Sequence, residues 1–275
     1  MVNYGAAFKL PFTNLQRSAA LFLLAALASL AHATYQIIKL SVVKSAGQGL
    51  GTAPVTLLAA IISFMAATIF YAVIFGYSIR IMATAINGKN ELPSFGNFTS
   101  LITTGLKYLV ATLIYFLPLI IAALIIIPAG AFGLSVVVAL AILIAVLLWL
   151  ILLIYLIPVL LANFAHEKRF AALFDLKKSF KYAFTGAYFA PWAAALGYTI
   201  ALTVPYSIVV GIIGLFSLLT PLALMLTVPI AAIYIVILNP TVNSLYGQAY
   251  RDVMVSKHAA VAAAATKGKR VLRKK

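Results

Sequence analysis

The sequence predicts an all-α integral membrane protein, a bundle of six transmembrane helices. Of its 275 residues, 65% are hydrophobic and only 9% are charged, and a water-soluble domain of this size cannot bury so much apolar surface. Apolar stretches recur along the chain, and each is long enough to cross a hydrocarbon core of roughly 30 Å, which takes about 20 helical residues. The charged residues lie between these stretches, so lipid is the predicted solvent of the fold.

Turn-forming residues divide the chain into the six spans. The separators include the glycine-rich segment before Pro54, Asn87-Gly88 and Thr220-Pro221. We predict helices over about 15–43, 54–87, 100–127, 132–165, 186–217 and 221–250. They form one transmembrane domain over residues 1–255, and a basic, flexible cytoplasmic tail follows over 256–275.

The first span has features of a retained helix and of a cleaved secretory signal. Arg17, the apolar run 21–30 and Ala31-His32-Ala33 imitate a signal peptide with its cleavage site. Apolar residues resume at Ile37 and Ile38, which makes the segment long enough to cross the bilayer. We favour the retained span and keep cleavage as the alternative.

The distribution of Lys and Arg predicts the orientation in the cell membrane. Of the 20 such residues, only Lys39 and Lys44 fall on one side of a six-span topology, and the other eighteen lie on the side of both termini. Loops rich in Lys and Arg stay in the cytoplasm. Both termini are therefore predicted to be cytoplasmic.

Three spans end in a similar way, with a small residue, three spacers and an arginine. The segments are Gly76–Arg80, Ala165–Arg169 and Gly247–Arg251. They indicate three helical hairpins repeated in parallel, a known way to build membrane bundles. Chance similarity among apolar helices is the alternative.

Two cytoplasmic connections carry apolar residues of their own. In Glu167–Lys181, Phe170, Leu173 and Phe180 recur near helical spacing among basic residues, which predicts a short amphipathic helix in the headgroup layer. The loop over 88–98 is expected to dip its apolar side chains into the membrane interface.

Several of these segments together carry a family resemblance. They are Gly-Tyr-x-x-Arg at 76–80, the loop 88–95 with Leu-Pro-x-Phe at 92–95, the run 105–118, and Pro158–Asn163 with Arg169-Phe170. Over about residues 70–185 the chain resembles a family of multi-pass membrane proteins, found mainly in archaea and some bacteria and catalogued only as a domain of unknown function. The resemblance implies a membrane location and no known activity. The lysine-rich tail and Asn239-Pro240 depart from it.

The candidate binding residues form three groups. Basic residues at the cytoplasmic helix ends and in the amphipathic segment are candidates for lipid phosphates, with simple anchoring as the alternative: Arg80, Arg169, Lys177, Lys178 and Arg251. The amides of Asn163, Asn239 and Asn243 lie in or next to spans and either line a polar cavity or join helices. The basic tail, which binds anionic lipid or else RNA such as ribosomal RNA, carries Lys267, Lys269, Arg270, Arg273, Lys274 and Lys275.

The residues that usually perform catalysis are sparse. The chain has four acidic residues, three histidines and no cysteine, and none of them forms a catalytic or metal-binding motif. We therefore expect no enzyme activity, no metal and no cofactor.

Our interpretation is a membrane scaffold or partner subunit that binds anionic lipids, other proteins or a second copy of itself. The alternatives are a transporter or channel for a small or lipid-like solute, and a ribosome-associated membrane factor that acts through its tail.

Overall fold

The computed structural model describes residues 1–45, 53–131 and 136–272. Within these ranges the chain forms helices and no strand. In chain order the helices are α1 (Tyr4–Lys9), α2 (Leu15–Ser45), α3 (Ala53–Ile86), α4 (Phe98–Ala131), α5 (Val136–Glu167), α6 (Leu176–Ala183), α7 (Gly186–Ser217) and α8 (Thr227–Leu272). Six of them, all but α1 and α6, include spans long and apolar enough to cross a membrane. The predicted six-helix membrane bundle is confirmed.

Helix α3 lies at the centre of the bundle and contacts α2, α4, α5 and α8. Glycines allow its closest crossings. A Cβ atom on Gly76 would collide with the carbonyl of Leu101, and one on Gly105 with the carbonyl of Ala72. Because lipid tails are as apolar as side chains, membrane helices associate largely through such close packing of small residues. The α3–α4 contact is therefore tight.

The lipid-facing surface follows from the same arrangement. Large apolar side chains such as Leu113 of α4, Leu147 of α5 and Ile208 of α7 are more than half exposed. On a water-soluble protein such contiguous apolar surface would mark an interaction site, and here it is the surface that hydrocarbon covers.

The three predicted hairpins differ in their packing. Helices α2 and α3 pack along each other, as do α7 and α8, whereas α4 packs mainly against α3 and only slightly against α5. The α4–α5 pair is therefore packed less extensively than the other two. The repeat hypothesis stays a prediction.

The segment after α5 differs from the single amphipathic helix expected over Glu167–Lys181. A 3₁₀ helix over Phe170–Phe174 precedes α6, and Asp175 separates the two. The Asp175 carboxylate accepts a hydrogen bond of 2.9 Å from the backbone N–H of Lys178 and so caps α6. Leu173 is buried in the bundle. The amphipathic helix is thus α6 alone.

The helix predicted over 221–250 differs from the observed structure at both ends. Pro221–Leu226 forms a 3₁₀ helix before α8, and α8 runs past residue 250 to Leu272. Alanine is the strongest helix former, and the run Ala262–Ala265 favours this extension. Of the basic tail, the side chains from 257 onward and all of 273–275 lie outside the described residues.

Candidate functional site: a basic cleft between α3, α4 and α5

The loop between α3 and α4 is docked on the bundle. Tyr77 of α3 donates a hydrogen bond of 2.9 Å from its hydroxyl to the carbonyl of Pro93, and its ring stacks on Phe95 with centroids 4.0 Å apart. Arg17 of α2 donates to the carbonyl of Leu92, which is 1% exposed. The expectation that this loop dips into the membrane interface is wrong for Leu92 and Phe95, because helix side chains hold it against the protein.

Arg80 ties the second half of the loop to α3. Its Nη1 donates to the carbonyls of Ser94 at 2.9 Å and Gly96 at 2.6 Å. Both hydrogen bonds use the same nitrogen, so the rest of the guanidinium is left for another partner. The Gly-Tyr-x-x-Arg motif and the Leu-Pro-x-Phe loop therefore form one structural unit.

A cleft of about 640 Å³ opens beside this unit. It is bounded by α3, the first three turns of α4 and the end of α5. Its lining residues are Gly76, Ile79, Arg80, Ala83, Asn97, Thr99, Ser100, Leu101, Thr103, Thr104, Lys107, Phe164, Ala165 and Lys168. We call it the basic cleft.

Three cationic side chains, Arg80, Lys107 and Lys168, line the basic cleft, and its lining contains no carboxylate. Within the described ranges, no ion pair involves any of the three. Lys107 lies nine residues after the start of α4, about 13 Å along the helix at 1.5 Å per residue. A cation within a candidate membrane span is costly unless it finds an anion or reaches polar surroundings.

Three of the four acidic residues are engaged elsewhere, and the fourth, Glu91, is exposed on the α3–α4 loop outside the cleft lining. Glu167 pairs with Arg169 at 2.5 Å and with Lys178. Asp252 pairs with the N-terminal amine at 2.9 Å, and Asp175 caps α6. The basic cleft therefore keeps its positive charge.

Two residues on the rim of the cleft have left-handed backbone conformations. Asn97 has φ 62° and Lys168 has φ 59°, and they are the two non-glycine residues with positive φ in the described part of the chain. Asn adopts this region readily, but a lysine seldom does, and such conformations cluster at functional sites. Lys168 ends α5 with a hydrogen bond of 2.8 Å from its N–H to the Phe164 carbonyl, and Asn97 precedes α4, so the two helix ends turn the chain at the rim of the cleft.

Hydroxyl and backbone donors complete the cleft. Asn97 caps α4 by accepting a hydrogen bond of 3.1 Å from the Ser100 N–H, and Thr99, Ser100 and Thr104 add hydroxyls. The N-terminal end of a helix carries partial positive charge. Cations together with hydroxyl donors suit a phosphate or another oxyanion, since charge-assisted hydrogen bonds are the strong ones.

The structure separates the residues that we proposed for lipid phosphates. Only Arg80 lies in the basic cleft. Arg169 and Lys178 are paired with Glu167, and Arg251 lies 3.7 Å from Asp252. Lys177 is exposed on α6.

Of the three candidate amides, Asn163 and Asn239 join different parts of the bundle, whereas Asn243 bonds within α8. Asn163 is fully buried, donates to the carbonyl of Ala172 at 3.1 Å and accepts from the Tyr250 hydroxyl at 2.9 Å. Asn239 exchanges hydrogen bonds with Ser78, and Asn243 donates to the Asn239 carbonyl at 2.8 Å. A cavity of about 120 Å³ lies beside Asn239 and Asn243.

The sequence interpretation missed the central residues of the cleft. Lys107 interrupts an apolar span, and that isolated charge was the available signal. Lys168 gave none, because its left-handed backbone is visible only in the structure.

We call the end of the bundle that holds the α3–α4 loop the basic end. Fold and cleft together define a class: a multi-spanning α-helical membrane protein with a charged cleft at its basic end. Within that class, a family model described as a protein of unknown function (DUF4013) matches residues 58–218, more than half of the chain, and the chain belongs to this family. Every residue that lines the basic cleft lies within the match. No curated protein and no solved structure gives a significant match.

Proposed function

We propose that this protein is a non-catalytic membrane scaffold that holds an anionic phospholipid by its headgroup in the basic cleft. The observation that carries the proposal is the set of Arg80, Lys107 and Lys168 around one cavity without a lining carboxylate. The source of the anion is the membrane itself, because the cleft lies between membrane-spanning helices at their ends. A lipid bound at one fixed position would keep one face of the bundle turned toward partner proteins, and this is the scaffolding role that we propose.

The orientation is part of the proposal. The α3–α4 loop and the segment between α5 and α7 lie at the basic end and hold six Lys and Arg, and four more at the same end are Arg17, Arg80, Lys107 and Arg251. Cytoplasmic loops are rich in these residues, and the cytoplasmic leaflet is the one that carries anionic lipid. We therefore place the basic end and both termini in the cytoplasm, with the tail as a second, weaker contact to the same leaflet.

A non-catalytic role is supported by what lines the cleft. Its described lining offers amides, hydroxyls and cations but no carboxylate, imidazole or thiol, and general acid–base catalysis is mostly performed by those groups. Lysine can also transfer protons, but the lining places no carboxylate or imidazole beside Lys107 or Lys168 to activate it, so binding an anion is the role that these residues suit.

The test is lipid binding to the full-length protein, measured by native mass spectrometry from mixed phosphatidic acid and phosphatidylcholine. We expect the wild type to retain phosphatidic acid preferentially. Since each Lys or Arg near an anionic surface is worth on the order of 1 kcal/mol, the Lys107→Gln/Lys168→Gln variant, which removes two of them, should lose about thirtyfold in affinity.

The matched control is Lys177→Gln/Lys181→Gln, which removes two charges from α6 outside the cleft. It should lower the affinity much less, and the difference between the two double variants should shrink at high salt because exposed charges are screened. Equal losses in both variants would show a diffuse surface effect and would refute the cleft as the site.

A further inference from the structure

The seam between α4 and α5 changes character along its length. At the basic end it opens into the basic cleft through Thr104, Lys107 and Lys168. Next it closes, and a void of only about 10 Å³ remains among residues that include Tyr115 and Leu160. Beyond that it opens again into an apolar groove.

This groove has a volume of about 290 Å³ and lies between α4 and α5. We call it the apolar groove, and its lining residues are Pro118, Leu119, Ala122, Ile142, Ala145, Val146 and Trp149. All of them are apolar except at the indole N–H of Trp149, which donates to the Tyr115 carbonyl at 3.0 Å and so fixes the ring at the end of the groove nearer the basic cleft. The groove therefore offers hydrocarbon contact and no hydrogen bond.

The distance between the two openings is set by α4. Pro118 and Ala122 lie 11 and 15 residues after Lys107, which corresponds to about 16 and 22 Å along a helix. One leaflet contributes about half of a hydrocarbon core of roughly 30 Å. The end of an acyl chain whose headgroup sits near Lys107 would thus reach the start of the groove.

We propose that the apolar groove holds the terminal part of one acyl chain of the anionic phospholipid whose headgroup occupies the basic cleft. This inference rests on the proposed function. The order along the seam, charge at the interface and hydrocarbon toward the midplane, is the order within a phospholipid. An open groove inside a bilayer loses dispersion contacts unless a chain fills it.

The proposal gives the site a preference for chain length as well as for charge. Along the closed part of the seam the acyl chain lies on the outer surface of α4. There it makes only the contacts that any membrane lipid makes. Only a long chain reaches Pro118 and Trp149, so only long-chain lipids gain from the groove.

The experiment compares dioleoyl and dihexanoyl phosphatidic acid, which share a headgroup, on the full-length protein by native mass spectrometry. Ala122→Phe fills the groove, and Ala123→Phe, on the neighbouring exposed residue outside the groove lining, is its matched control. We expect Ala122→Phe to lower affinity for the dioleoyl lipid about fivefold, toward that of the dihexanoyl lipid, and to leave dihexanoyl binding unchanged. Ala123→Phe should change neither, and equal melting temperatures would show that both variants fold.

The contrary outcomes separate this inference from the proposed function. If Ala122→Phe leaves dioleoyl binding unchanged while Lys107→Gln/Lys168→Gln weakens the binding of both lipids, the groove proposal falls and the headgroup site stands. If the double lysine variant binds both lipids like the wild type, the headgroup site falls as well. If the wild type is a dimer that Ala122→Phe dissociates, a second copy covers the groove and the acyl-chain proposal is overturned.

Discussion

Replacement of Tyr77 tests whether the α3–α4 loop is held by the contacts described above. Tyr77→Phe removes only the hydroxyl that donates to Pro93 and keeps the ring stacked on Phe95. A net hydrogen bond contributes about 1 kcal/mol. Tyr77→Leu also removes the stacked ring, which is worth about 0.5–1.5 kcal/mol beyond its buried area, and leaves part of a fully buried volume empty. Its total cost should be about 3 kcal/mol.

The assay is thermal unfolding in neutral nanodiscs, together with trypsin cleavage at Lys89 in the loop. A loss of 1 kcal/mol lowers the melting temperature by about 2–4 °C in a chain of this size. We expect Tyr77→Leu to lower it about three times as much as Tyr77→Phe and to make Lys89 a cleavage site. Tyr4→Phe, on a partly exposed tyrosine, should change neither quantity. If Tyr77→Leu has the melting temperature and the trypsin cleavage pattern of the wild type, the proposal that these contacts hold the loop is refuted.

Three further predictions concern packing and topology. Gly105→Ala should lower the melting temperature strongly because its Cβ meets the α3 backbone, whereas Gly211→Ala, with open space around it, should not; similar melting of the two variants would contradict the tight α3–α4 crossing. Asn163→Leu leaves a buried hydroxyl and a buried carbonyl without partners and should destabilise the bundle by about 2 kcal/mol, which chemical unfolding in mild detergent can measure. The chain has no cysteine, so single cysteines can be placed at Ser94 and Leu219, which are exposed at opposite ends of the bundle. An impermeant thiol reagent should label the cysteine at 94 only from inside the cell and the cysteine at 219 only from outside. The reverse labelling pattern would contradict the proposed orientation.

Much of the fold could be predicted from the sequence because the bilayer restricts the solutions. Uncharged stretches of sufficient length must be helices there, since lipid cannot pair with exposed backbone groups. The predicted spans from 54–87 to 186–217 agree with α3, α4, α5 and α7 to within a few residues. Helix ends outside the hydrocarbon were less predictable, and α8 extends well past residue 250.

The interruption after α5 could not be predicted from apolar periodicity. The pattern of Phe170, Leu173 and Phe180 fits one helix, but the left-handed Lys168 and the cap at Asp175 divide the segment in two. Periodicity reports which face is apolar and carries no information on local capping, for which Asp175 was the available sign.

The candidate site was predictable in kind and not in detail. The excess of basic residues directs attention to helix ends such as Arg80, which lines the basic cleft. The crossing of α4 and α3 at Gly76 and Gly105 decides which cations line the same cavity. The order of charges along the sequence carries no information on how closely two helix backbones approach. Pairing with acids, as for Arg169 and Glu167, also depends on tertiary geometry.

The location of the bound headgroup distinguishes a lipid held in the basic cleft from lipid spread over the basic surface. Phosphatidic acid with a photoreactive group in its headgroup would be cross-linked to the full-length protein in nanodiscs, and the attachment sites would be mapped by peptide mass spectrometry. We expect attachment concentrated within 97–107 and 164–168, and its loss in Lys107→Gln/Lys168→Gln. Attachment centred on α6, or spread evenly over all basic segments and unchanged in that variant, would contradict that expectation.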